Sequence, residues 1–377
     1  MKTIRRIFVL LLTVNMVFLS GCWNYREVDN MLMVAGMAID TGKEGFKYHA
    51  TFELLDLSQG KTGSKLLETE GDSLFECARN AIGKTKKKLF FSHCKLVVIS
   101  NQLASEGVTP LFDFLMRDSE PRINLDIIVS KENTAGDILQ QKPVTDQLVS
   151  IEISDQLKQS MAVLGEAPNI KLYQANNILS DSGASLILPT VKISKDKTKA
   201  TELDGTAVFK KDRLIGYLNR NETKYLLFVN NKIKGGLLLS SPQNNNEFIT
   251  VEISDNKTKI QPEVKDTDVT VNIEIKTRGA LGEDETSKDY STVTGIKEAA
   301  KSSEKEISYG VNEVIKKVQT EYGSDIFGFG SKIHQDSPEV WNKLKDNWTD
   351  TFRKLKFTVT ANVDIENTAT ARGKVGS

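Results

Sequence analysis

The first 22 residues constrain this chain more than any later stretch. Lys2, Arg5 and Arg6 form a positive start with no acidic residue among them. Ile7 to Leu19 then supplies 13 mostly apolar residues. That run falls short of the roughly 20 residues a membrane span needs and suits the core of a secretion signal. Leu19-Ser20-Gly21-Cys22 follows and has the form of a bacterial lipobox. Small residues at Ser20 and Gly21 fit a narrow peptidase cleft, and the Cys22 thiol is the nucleophile that takes a diacylglyceryl group as a thioether. The expectation is cleavage between Gly21 and Cys22, leaving an S-diacylglycerol cysteine whose freed amine is open to N-acylation. A glyceride carries two acyl chains, enough for a stable anchor where one is marginal. No later stretch approaches 18 apolar residues, so the rest is expected to lie outside the bilayer.

Removing residues 1–21 leaves 47 basic against 50 acidic side chains, a net charge of −3. A generally basic nucleic-acid binder is excluded, since phosphate affinity rests on an excess of Lys and Arg. An acidic disordered chain is excluded too, because 39% hydrophobic and 27% charged residues make an ordinary globular composition. About 350 residues exceed one simple core and point to two or three domains.

Hydrophobic spacing gives an α+β reading of three mixed α/β domains after the signal peptide. Residues 22–183 form an N-terminal α/β domain, 184–246 a small β-rich middle domain, and 247–377 a C-terminal α+β domain with long helices. Met31 to Ile39 and Phe46 to Leu55 read as strands, and Asp72 to Thr85 as a helix with Leu74, Ala78, Ala81 and Ile82 on one face. Lys84 to Lys88 close that helix, where basic residues complement its dipole. Leu89 to Ser100 reads as one strand, Ile123 to Ser130 as another, and Pro110 to Met116 as a helix. Short helices fill Thr134 to Leu179. Strands cover Leu186 to Ile193, Gly205 to Phe209, Arg213 to Leu218 and Gly235 to Ser240, with an exposed loop at Ser194 to Glu202. Asn221 reads as the N-cap of a helix to Asn230. Ser241 to Asn246 is the best linker. Two long alternating strands, a helix from Thr294 to Tyr322, a helix from Pro338 to about Leu355 and a strand from Phe357 to Ile365 complete the chain.

Chemistry is sparse. Ser92-His93-Cys94 sets three reactive groups side by side, but a strand sends adjacent residues to opposite faces, and a nucleophile needs its base in contact. His93 reads as structural. His49, His93 and His334 have no metal-ligand spacing, so no metal or other cofactor is expected. Cys77 and Cys94 sit among apolar neighbours and read as buried free thiols. Gly328 to Lys332 lacks the phosphate-loop pattern and reads as a loop needing positive φ. Trp341, Leu344, Trp348 and Phe352 form one stripe, read as core. No catalytic residue is assigned.

Six stretches in order carry a family resemblance. Gly21-Cys22-Trp23-Asn24-Tyr25-Arg26-Glu27-Val28, just after the lipobox, resembles the opening of the C-subunit lipoproteins of spore germinant receptors, the Ger(x)C type. Met33 to Asp40 is similar to that family's first strand. Leu89 to Lys95 resembles its "SHxk" segment, and Phe114 to Asp118 its helix end. Gly205 to Phe209 with Asp212 to Gly216 resembles its hairpin. Asp325-Ile326-Phe327-Gly328 through Trp341 and Trp348 resembles its C-terminal block. Cys94 stands where the family more often has an apolar residue.

The resemblance implies a lipid-anchored, non-catalytic subunit of a nutrient germinant receptor, required for nutrient-triggered spore germination. It implies a place on the outer leaflet of the spore inner membrane, beside a polytopic A-type subunit and a transporter-like B-type subunit. Only Cys22 carries over with a stated role. The alternative is a solute-binding lipoprotein of an importer, which predicts two similar βαβ lobes around a cleft.

Overall fold

Leu96-Val97-Val98-Ile99 is apolar at every position, and all four residues are buried. Such a strand needs cover on both faces, and the fold supplies it. The structure is a computed structural model. It describes residues 3–6 and 31–367, apart from 44, 57–62, 119, 146–147, 243–246, 266–267, 287 and 291. Gly21, Cys22 and the Ser241 to Asn246 linker beyond residue 242 lie outside the described residues.

The N-terminal half builds strands β1 (Met31–Thr41), β2 (Tyr48–Asp56), β3 (Gly63–Gly71), β4 (Lys88–Phe90), β5 (Leu96–Ile99) and β6 (Asp126–Ser130). Between them lie helices α1 (Leu74–Thr85), α2 (Asn101–Glu106), α3 (Thr109–Arg117), α4 (Gly136–Leu139), α5 (Val149–Gln159) and α6 (Leu172–Leu179). Strands β7 (Ile187–Ile193), β8 (Thr201–Lys210) and β9 (Arg213–Leu218) follow. All nine join one sheet in the order β3-β2-β1-β5-β6-β7-β8-β9, with β4 beside the start of β1. Its centre is parallel and its flanks antiparallel. Val97 and Ile99 face a core shared with α1, α2, α3 and α6. Leu96 and Val98 face α4 and α5.

Helix α7 (Arg220–Val229) leads to a second sheet of β10 (Gly236–Ser240), β11 (Ile249–Lys265), β12 (Asp268–Asp284) and β13 (Lys356–Asn367), in that order. Helix α8 (Val293–Lys317) and then α9 (Phe329–Asp336), α10 (Pro338–Leu344) and α11 (Trp348–Lys354) make the crossover from β12 to the parallel β13. Their apolar stripes and α7 cover one face of this sheet. Along β11 the other face carries exposed residues such as Glu252. The architecture is α+β, as the spacing indicated. The tryptophan stripe is core: Trp341 and Trp348 are buried, and their rings meet edge to face at 5.3 Å.

Several details differ from the sequence reading. Residues 184–246 build no sheet of their own: β7 to β9 extend the first sheet and β10 edges the second. Leu89 to Ser100 is two strands parted by a turn, closed by Cys94 N–H donating to the Phe91 carbonyl at 2.9 Å. The N-cap of α7 is Asn219, not Asn221: its side chain accepts from Glu222 N–H while Glu222 accepts from Asn219 N–H, a capping box. Strand β8 begins at Thr201, inside the expected loop. Gly328 does take a positive φ of 74°, but Phe329 starts a helix there.

Close approach fixes α5 on the sheet. A Cβ on Gly36 would lie 2.3 Å from Ser150 Cβ. Ser150 cannot retreat, because Glu53 accepts from the N–H groups of Val149 and Ser150, each at 2.9 Å. Gly36→Ala is therefore expected to destabilise the fold by about 1–3 kcal/mol through overpacking. Urea unfolding checks this, and an unchanged midpoint would show that α5 can shift.

Candidate functional site

Residues 323–331 link the second sheet's helices to the first sheet, and they centre on Asp325. Burial strips the Asp325 carboxyl of water and pushes it up to about 6, while its donors pull the other way. One oxygen accepts from Phe327 N–H (3.2 Å) and Gly328 N–H (2.9 Å); the other accepts from Gly330 N–H (2.8 Å) and Trp348 Nε1–H (3.2 Å). The loop thus wraps its own aspartate, and the indole of α11 seals it.

The same loop grips the first sheet. Ser185 N–H donates to the Asp325 carbonyl at 2.8 Å. Ser324 Oγ donates to the Phe209 carbonyl at 2.7 Å. Ser331 N–H donates to the Gly183 carbonyl at 3.0 Å, and Ser331 Oγ to Asp181 at 2.6 Å. The two backbones cross at glycines for a steric reason. A Cβ on Gly183 would lie 2.4 Å from Ser331 N, and one on Gly330 would lie 2.8 Å from both the Gly183 carbonyl oxygen and the Trp348 ring.

Two clefts flank this junction. One, of about 630 Å³, is lined by Asp181, Asp325 and Trp348 together with Lys210, Lys211 and Asp212 of the β8–β9 turn. The other, of about 570 Å³, is more apolar, with Ile170, Leu227, Ile260 and Phe327 in its wall and Lys232 and Lys332 among its polar groups. Asp325 is already engaged by its four donors, so it acts as an anchor for the loop.

The residues singled out from the sequence are dispersed. His49 on β2 lies 3.6 Å from Glu68 and 3.3 Å from Glu70. His93 is exposed in the turn, its ring against Phe90. His334 stacks on Trp341. Cys94 is buried beside His93 in sequence, with its thiol donating to the Leu96 carbonyl. Cys77 and Cys94 are free, as read. Burial pushes their thiols up to about 11 and about 12, against the low values that reactive cysteines need. Among the described residues no cluster of three or more His, Cys, Asp and Glu is placed to hold a metal, and no helix is long and apolar enough to cross a membrane.

Comparison with known proteins places these features. Residues 24–193 match the family described as "Spore germination protein N-terminal domain". Residues 204–369 match "Spore germination B3/ GerAC like, C-terminal". The chain belongs to this GerAC-like spore germination family. It is 26% identical over 391 residues to spore germination protein YndF of Bacillus subtilis (strain 168), covering 95% of each chain. It is 25% identical to spore germination protein B3 of the same organism, covering 93% of this chain and 95% of that one. A crystal structure of the GerBC protein shares the fold, with a TM-score of 0.58 and 24% identity over 88% of this chain and 97% of that one.

Within this GerAC-like chain the resembling stretches fall on β1, on β4 and its turn, on the end of α3, on the β8–β9 hairpin and on the Asp325 loop. Asp40 closes the β1 stretch, and its two oxygens accept from Ala135 N–H (2.6 Å) and Gly136 N–H (3.1 Å). The grip of residues 181–185 on 324–331 was not read from sequence. Its one local signal was the glycine-rich Gly328–Gly330 run, which cannot name a partner nearly 150 residues away.

Two outcomes are expected. Asp325 binds its proton more tightly folded than unfolded, so the folded state holds a proton between its ordinary value of 3.8 and about 6. Its contribution to stability is present at low pH and is lost as pH rises through that window, by about 3 kcal/mol in all. Asp325→Asn should flatten this part of the stability-against-pH curve, while leaving the protein less stable because an amide N–H₂ then faces N–H donors. Urea unfolding of both proteins across pH 4–7 checks it; parallel curves would sink the assignment. Cys77 and Cys94 should resist a thiol reagent at pH 8 until denaturant is added, read by absorbance.

Proposed function

We propose that this chain is the lipid-anchored, non-catalytic subunit of a nutrient germinant receptor, seated on the outer leaflet of the spore inner membrane. The observation that carries the reading is the match of both halves, 24–193 and 204–369, to spore germination families, directly after a lipobox ending at Cys22. On this reading the protein works by position. The anchor confines it to the membrane plane, which raises its effective concentration beside polytopic A-type and transporter-like B-type subunits. Its histidines and thiols lie apart from one another or buried, which fits a role in assembly.

The apolar cleft of about 570 Å³ at the junction favours a second reading, solute binding. A germinating nutrient or imported solute held there would raise the melting temperature by mass action.

Solubilising spore membranes in mild detergent and capturing the protein through a C-terminal tag tests the first reading. Co-recovery of a polytopic protein and a transporter-like protein is expected, together with a diacylglyceryl group on Cys22 by mass spectrometry. Cys22→Ala should release the processed body from membranes or leave the precursor uncleaved, and delay nutrient-triggered germination. Recovery of importer components with a ligand-dependent melting shift would favour solute binding instead.

A further inference from the structure

The basic run Lys84-Thr85-Lys86-Lys87-Lys88 does more than finish a helix. Helix α1 ends at Thr85, so the dipole accounts for Lys84 alone. Lys86 turns the chain with a φ of 61°, and Lys88 opens β4. Strand β4 pairs in parallel with the first residues of β1, setting Lys88 opposite Met31. The run therefore lies at the point where the chain enters the fold. Eight residues lie between Cys22 and Met31, and so short a segment spans at most about 30 Å even fully extended.

The charges here are available. Lys84, Lys86 and Lys87 are exposed. Lys84 donates to the Glu68 carbonyl at 2.7 Å, which leaves its charge unbalanced. Among the described residues, no ion pair engages these three lysines. Two neighbouring acids have other cations, Glu120 with Lys88 at 2.5 Å and Asp56 with Lys65 at 2.8 Å, and Glu68 lies 3.6 Å from the His49 ring. The body after Cys22 has a net charge of −3, yet residues 84–88 alone hold +4, which leaves the remainder at −7. An anionic surface would attract this end and repel the rest. Ile82, one turn before Lys86 and 36% exposed, adds an apolar contact.

We infer that the Lys84–Lys88 turn docks on anionic lipid headgroups and sets the body's orientation on the membrane, an inference that rests on the anchoring of Cys22. Basic clusters beside a membrane attachment act this way, over distances of about a Debye length. The tether supplies proximity and the lysines supply direction.

The test uses the full-length lipidated protein. A Cβ on Gly83 meets nothing within 4 Å, so Gly83→Cys accepts a fluorophore beside the run, while Cys77 and Cys94 stay buried. The protein is placed in vesicles of phosphatidylcholine alone, or mixed equally with phosphatidylglycerol, each containing a nitroxide-headgroup lipid. Quenching is expected to be several-fold stronger in the mixed vesicles. It should fall away in raised salt and in K84Q/K86Q/K87Q, and persist in K84R/K86R/K87R, with every variant still floating with the vesicles. Equal quenching in both vesicle types, or quenching unchanged in the glutamine variant, would overturn the docking. An N-terminal peptide without a diacylglyceryl group would instead overturn the anchor. Docking would then still be judged by the salt-sensitive quenching in the mixed vesicles.

Discussion

Buried carboxylates that accept backbone N–H groups from distant segments hold this fold in register. Asp40, Glu53 and Asp325 are nearly inaccessible to water, and burial raises the pKa of each. Each offsets that cost by charge-assisted hydrogen bonds. Asp40 takes the amides at the start of α4, and Glu53 those at the start of α5. Asp325 takes three amides of its own loop and the indole of α11. The first two pin helices about 95 residues away onto β1 and β2. The third shapes the loop that ties the two sheets together. Such groups trade stability for uniqueness, since an apolar contact tolerates sliding and a bidentate acceptor does not.

What could be read from the sequence follows from where the information sits. Strands β1, β5 and β11 to β13 were legible because their apolar periods are long or unbroken. Strand β3 was missed because Gly63–Gly71 is an edge whose residues are mostly exposed, so it lacks an apolar signal. Helix α2 is too short for its period to show. The helix after Gly328 was hidden by the glycines that let the loop cross Gly183. The Asn219 cap was misplaced by two residues because Asn219 and Asn221 are chemically equal choices, and only the reciprocal bond with Glu222 separates them. The junction itself is a tertiary fact. Nothing near Asp181 or Gly183 encodes that Ser331 will meet them.

The Lys84–Lys88 run shows the same limit from another side. As a string it reads as the ordinary end of a basic helix. Only the pairing of β4 with the first residues of β1 reveals that it stands beside Met31, where the first sheet begins. Charge composition alone, at −3 after residue 21, concealed the local excess of four positive charges at residues 84–88.

The two family matches meet between residues 193 and 204, and that interval lies inside the first sheet. Strand β7 ends at Ile193 and β8 begins at Thr201, and the two are hydrogen-bonded neighbours. The border between recurring sequence modules is therefore no mechanical hinge. Separating the modules there would bare the facing edges of β7 and β8, a template for aggregation. The C-terminal helices meet the first sheet just before β7, where Ser185 N–H donates to the Asp325 carbonyl and Ser331 N–H to the Gly183 carbonyl. The two modules are thus joined in mid-sheet, by the antiparallel pairing of β7 with β8.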